Sequence, residues 1–90
     1  MKNLKWNCTD LDRKQYGIQL SDNLFKFKEW DEQEQEFVEL EVDINKYSTE
    51  EIDENISAYY GSVDEIKSIY GIESNFIIAE CIFEQESGLY

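Results

Sequence analysis

The sequence predicts an α+β domain: an N-terminal antiparallel β-meander of three to four strands, followed by two or three helices packed on one sheet face. Three observations lead there. Apolar and polar residues alternate up to Ile44, the period of a strand with one covered face. After Lys46 the apolar spacing changes to three and four, the period of a helix. Serine–glutamate pairs at capping-box spacing and well-placed glycines punctuate the second half. No repeat or linker composition interrupts the chain, so residues 1–90 read as a single domain.

Residues 3–9 are expected to form a short edge strand, with Leu4, Trp6 and Cys8 on one face. Asp10 to Lys14 reads as a turn. Residues 15–20 alternate again, with Tyr16, Ile18 and Leu20 on one side. Ser21-Asp22-Asn23 is a strong turn signal because short polar side chains bond their own backbone. Residues 24–30 close the hairpin, with Phe25 and Phe27 on one face and Lys26 and Lys28 on the other. Asp31 to Gln35 is wholly polar and serves as the next connection. The clearest strand follows: Val38, Leu40, Val42 and Ile44 on the covered face, Phe37, Glu39, Glu41 and Asp43 on the wet one.

Ser48 and Glu51 have capping-box spacing, which starts a helix. Its apolar stripe is Ile52, Ile56 and Tyr59 or Tyr60, and Gly61 is placed to end it. Ser62 and Glu65 repeat the cap spacing. Val63, Ile66, Ile69 and Tyr70 mark a second helix that stops at Gly71. The two helices are expected to pack on the sheet together. Residues 74–86 fit two readings. As a strand, Ile77, Ala79, Cys81 and Phe83 line one face. As a helix, Ser74 caps it, Glu80, Glu84 and Ser87 share an exposed face, and Gly88 ends it. Length, Ala79 and the glutamates favour the helix.

Charge is the strongest compositional signal. The formal net charge is −13, from 21 acidic and 8 basic residues. It is uneven. Residues 1–28 hold Lys2, Lys5, Arg13, Lys14, Lys26 and Lys28 against Asp10, Asp12 and Asp22, a net of +3; the rest of the chain carries −16. Hydrophobic residues at 41% exclude a wholly disordered acidic tail. Most acids therefore have no basic partner within the chain, and the domain carries a broad negative field. That field repels bare nucleic acid and anionic membranes and attracts basic proteins. No direct nucleic-acid binding and no membrane association are expected.

The chain contains no histidine, which removes the usual base near neutral pH and the commonest transition-metal ligand. Cys8 and Cys81 are far apart and lack such partners, so neither a zinc site nor an imidazole-activated thiol is expected, and no cofactor is implied. No signal peptide or long apolar run is evident; a reducing, cytoplasmic setting and free thiols are the expectation. Asp10 and Asp12 do not continue into a calcium loop, because Lys14 and Gly17 spoil the spacing of the oxygen ligands. Glu80 and Glu84 are a carboxylate pair four apart, for which a solvated helix face is the expected role. An enzyme is not expected.

The sharpest candidate is the ladder Glu39, Glu41 and Asp43. Alternate strand residues lie about 6.8 Å apart, near the roughly 6–7 Å between successive phosphates of one DNA strand. Asp31, Glu32, Glu34 and Glu36 extend the row through the preceding loop. Glu50 and Glu54, with Glu51, Asp53, Asp64 and Glu65, add a second row at the helix starts. Each acid alone is ordinary surface; helix starts favour acids through the dipole. Phe37 stands among these acids, outside the expected core, and Trp30 shares its edge; together they read as an anchor or as a filler of the sheet edge. Of Tyr59 and Tyr60, one is expected inside and one outside.

These features suit a small inhibitor that occupies the basic, nucleic-acid-binding surface of a protein such as a nuclease, repair enzyme, polymerase or defence complex. In size and charge the chain resembles small acidic phage-encoded counter-defence inhibitors, including the anti-CRISPR kind, which act as DNA mimics in the host-cell cytoplasm. No motif places it in a named family. An immunity protein or antitoxin neutralising a basic enzyme follows from the same physics. A structural or regulatory adaptor that oligomerises is a third reading. The expected state is a monomer or a weak homodimer through the N-terminal half.

Overall fold

The computed structural model describes residues 5–57 and 59–89. Strands β1 (Asn7–Asp10), β2 (Gln15–Gln19), β3 (Leu24–Asp31) and β4 (Glu36–Asp43) form one antiparallel sheet in the order β1-β2-β3-β4. A 3₁₀ turn at Ile44–Lys46 leads into helices α1 (Thr49–Ile56), α2 (Val63–Tyr70) and α3 (Ser74–Glu86). The α+β class and the N-terminal meander are as expected. No helix among the described residues is long and apolar enough to cross a membrane.

The first strand is shorter than the expected 3–9. It starts at Asn7, and its pairing with β2 is broken by a register shift between Cys8 and Asp10. Residues 3 and 4 lie outside the described residues. Lys5 and Trp6 precede the strand. The expected strand 15–20 ends at Gln19, because Leu20 N–H turns back to the Leu24 carbonyl, 2.8 Å away, to close the hairpin.

Phe25 and Phe27 on β3, and Val42 on β4, point to the helical side and are fully or nearly fully buried. Phe83 and Phe76 of α3 stack and tilt on Phe27, with ring centroids 5.6 and 5.3 Å away. This close seating explains Gly17, which pairs with Phe27 across β2 and β3. A Cβ at Gly17 would stand 2.5 Å from Phe27 Cε1 and 2.8 Å from Phe76 Cζ. Only a residue without Cβ lets the rings lie against the strand.

The helical side departs from expectation in its order of layers. α3, not the α1–α2 pair, lies on β3 and β4, and α1 and α2 pack chiefly on α3. Ile52 and Ile56 of α1, Ile66 of α2, and Ile78, Ala79, Cys81, Ile82 and Phe83 of α3 form the core with the sheet phenylalanines. A helix covered on both sides is apolar nearly all round. That is why residues 74–86 admitted a strand reading beside the favoured helix, which the structure shows.

Local signals hold with adjustments. Ser48 and Glu51 form the full capping box, with 3.2 Å bonds in both directions. At α2 the box is rearranged: Ser62 Oγ accepts from Glu65 N–H, while the Glu65 carboxylate accepts from Gly61 N–H at 2.6 Å. Gly61 therefore belongs to the start of α2 and does not end α1. α1 stops at Ile56, whose carbonyl accepts from both Tyr59 and Tyr60 N–H. The chain leaves the helix there so that Tyr60 OH meets Tyr70 OH, 2.9 Å apart. Tyr60 is half-buried and Tyr59 exposed, the expected division. Ile69, expected in the apolar stripe of α2, is 62% exposed. Ser74 does not cap α3. A 3₁₀ turn (Gly71–Glu73) joins α2 directly to α3, and Ser74 OH donates back to the Gly71 carbonyl.

Candidate protein-interaction surface

Among the described residues the helices pack on the Phe25, Phe27 and Val42 side of the sheet, and none of them covers the other face. The strand register decides what stands there. Trp30 pairs with Phe37, Lys28 with Glu39, Lys26 with Glu41 and Leu24 with Asp43 across β3 and β4. Tyr16 of β2 pairs with Lys28. The face is therefore an aromatic cluster at one end that grades into carboxylates at the other.

The aromatic end is well organised. Trp30 and Phe37 rings meet edge to face with centroids 5.1 Å apart, and Tyr16 meets Phe37 at 6.3 Å. Lys28 Nζ stands over this group, 4.5 Å from the Trp6 ring centroid, 4.8 Å from Phe37 and 5.7 Å from Tyr16. Lys14 Nζ lies 5.6 Å from Trp30. Each such cation–π contact contributes about 0.5–1 kcal/mol at an exposed site. Phe37 nonetheless remains 42% exposed.

The carboxylate end follows the expected ladder, with one change. Glu39 and Glu41 are exposed and Asp43 half-buried. Lys26 and Lys28 face them from β3, and Lys26 Nζ lies 3.2 Å from Glu39 Oε1. The ladder's inner flank is thus partly neutralised, although a half-exposed pair of this kind stabilises the fold little. Asp43 Oδ1 also accepts from Asn45 N–H at 3.0 Å, capping the 3₁₀ turn. Asp31 Oδ1 accepts from Gln33 and Glu34 N–H and fixes the β3–β4 turn, leaving Glu32, Glu34 and Glu36 exposed at its tip.

Glu50 and Glu54 do not join this row. They are exposed on α1, in the helical layer beyond α3. Their expected companions hold local structure: Glu51 closes the α1 box, Asp53 Oδ1 accepts from Val63 N–H at 3.2 Å, and Glu65 holds Gly61. The second acidic row is therefore a set of caps and a separate surface. Around Tyr47 the acids do converge. Tyr47 OH donates to Glu86 Oε2 at 2.9 Å, and burial, that bond and the nearby Glu86 and Glu51 charges push its pKa to about 12.

A second polar site lies where α3 meets the β1–β2 turn. Here the expectation of a solvated Glu80–Glu84 face is overturned. The Glu84 side chain is 11% exposed and its Oε1 accepts from Arg13 Nη1 at 3.1 Å and from Gln15 Nε2 at 3.3 Å. Gln15 is fully buried; its Nε2 also donates to Glu29 Oε1 at 2.8 Å, and its Oε1 accepts from Thr9 Oγ1 at 2.6 Å. Arg13 Nε lies 3.6 Å from Asp10. Glu80 sits beside this network. Burial, then the charges of Glu84 and Asp10, raise its pKa to about 7 against the opposing pull of Arg13. A cleft of about 280 Å³ lined by Asp10, Arg13, Tyr59, Glu80 and Glu84 opens there, with Cys81 in its wall. Burial, with Glu84 and Glu80, pushes the Cys81 thiol up to about 12, so it stays protonated and is a poor nucleophile. Both cysteines are free, Cys8 exposed and Cys81 buried. Among the described residues no cluster of three His, Cys, Asp or Glu side chains is arranged to hold a metal ion.

Sequence reasoning found Phe37, Trp30 and the ladder, but missed Tyr16, Lys28 and the buried Gln15. The available signal for Lys28 was its place beside Phe27 on β3, which sets it opposite Glu39 once register is known. No family model matches this chain, and neither a curated protein nor a solved structure does.

Proposed function

We propose that the protein acts by binding another protein, and that this partner presents a basic surface that ordinarily holds nucleic acid. Binding then inhibits the partner by occupying that surface. The observation that carries this reading is the open sheet face, where Phe37 stands exposed beside Glu39 and Glu41 and the acidic turn at 32–36 continues the row. The aromatic group supplies apolar contact area and the carboxylates supply complementarity and fast association. The network of Arg13, Gln15, Glu29 and Glu84 has a sufficient structural role, tying the β1–β2 turn to α3. An immunity protein facing a basic toxic enzyme would use the same surface, and the identity of the captured partner separates the two.

The test is capture from host lysate on the immobilised protein at low and high salt. The expected result is one basic, nucleic-acid-handling protein, released by salt and displaced by its own DNA or RNA. The triple variant Glu39→Gln, Glu41→Gln, Asp43→Asn, shown to be folded, should lose that partner. Undiminished capture by the variant would rule the ladder out as the binding element.

A further inference from the structure

We propose that β4 receives an extended basic segment of the partner as a fifth strand, with lysine or arginine at alternate positions facing Glu39, Glu41 and Asp43. This rests on the reading that the partner is a basic protein and adds the manner of its docking.

The two edges of the sheet are unlike. β1 has four residues and a register break between Cys8 and Asp10, features that discourage further pairing. β4 has eight residues in unbroken register with β3 and contains no proline. Among the described residues, the backbone of 36–43 makes no hydrogen bond outside the β3–β4 ladder. The carboxylates Glu39, Glu41 and Asp43 guard this edge with charge. Charge excludes a second copy, because antiparallel self-pairing sets carboxylates against carboxylates. It does not exclude a basic strand.

The molecule already shows what such a strand looks like. β3 lies on the other side of β4 and places Lys26 and Lys28 opposite Glu41 and Glu39, with an ion pair at 3.2 Å between Lys26 and Glu39. A fifth strand with the same alternation completes the flank that β3 leaves open. Backbone bonds along the edge give affinity, and alternate side chains give the preference for basic residues.

The probe is an acetylated nine-residue peptide alternating lysine with threonine, titrated at low salt into the isotope-labelled protein. Its control is the same peptide N-methylated at every interior amide, which keeps the charge and removes the edge donors. The expected result is amide shifts concentrated in residues 36–43 and at least tenfold weaker binding of the control. Equal binding of the two peptides would overturn the fifth strand while leaving the acidic-surface reading intact, as would shifts centred on β1. Failure of both peptides to bind would count against both.

Discussion

Trp30 and Phe37 stand directly opposite each other across β3 and β4, with ring centroids 5.1 Å apart and planes at 78°. The contact closes the end of the β3–β4 hairpin on the open face. Edge-to-face pairs contribute about 0.5–1.5 kcal/mol beyond the area they bury. Phe37→Ala should therefore leave the domain folded and lower its stability by about 1 kcal/mol. Tryptophan emission should shift to longer wavelength as Trp30 becomes wetter. An unchanged spectrum would contradict the contact.

Gly17 carries the opposite kind of constraint. Its missing side chain is the space that Phe27 and Phe76 occupy. Gly17→Ala should destabilise the protein by about 1–3 kcal/mol, the usual cost of overpacking a filled core. Urea unfolding should show a lower midpoint with an unchanged slope. Stability equal to that of the parent would mean that the rings move aside freely.

The Glu80 carboxyl makes stability depend on pH in a definite direction. The unfolded chain releases this proton near the ordinary value of 4.5, while the folded protein keeps it until about pH 7. Between those values the folded state binds more protons, so raising the pH lowers stability, and the loss is complete above about pH 7. The whole shift is discounted for partial solvent exposure, leaving a fall of about 1–2 kcal/mol. Glu80→Gln should flatten the profile from pH 5 to pH 8 in urea titrations. Persistence of the slope in that variant would assign it to another group.

The two cysteines should differ in reactivity. Cys8 is exposed, whereas Cys81 is buried and its thiol is held protonated. A maleimide at neutral pH should label Cys8 within minutes and Cys81 only on the timescale of unfolding. Mass spectrometry of the labelled peptides reads both sites. Equal rates would show that α3 opens readily around Cys81.

The sequence by itself determined the meander, the faces of β3 and β4, and the capped starts of α1 and α2. These are local properties. Period-two alternation assigns a face whatever lies beyond it, and Ser48 with Glu51 closes a capping box within one turn. Phe37 and the ladder were legible for the same reason, since alternation alone sets Phe37, Glu39, Glu41 and Asp43 on one side. What lies across from them was decided by register, which joins residues such as Lys28 and Glu39 that are distant in sequence. Only the tertiary structure placed α3 between the sheet and the other helices, because a helix covered on two sides loses the periodicity that would announce it. The same burial converted Glu84 from an expected surface charge into the partner of Arg13 and Gln15, raised the pKa of Glu80, and left Glu50 and Glu54 on a surface apart from the ladder.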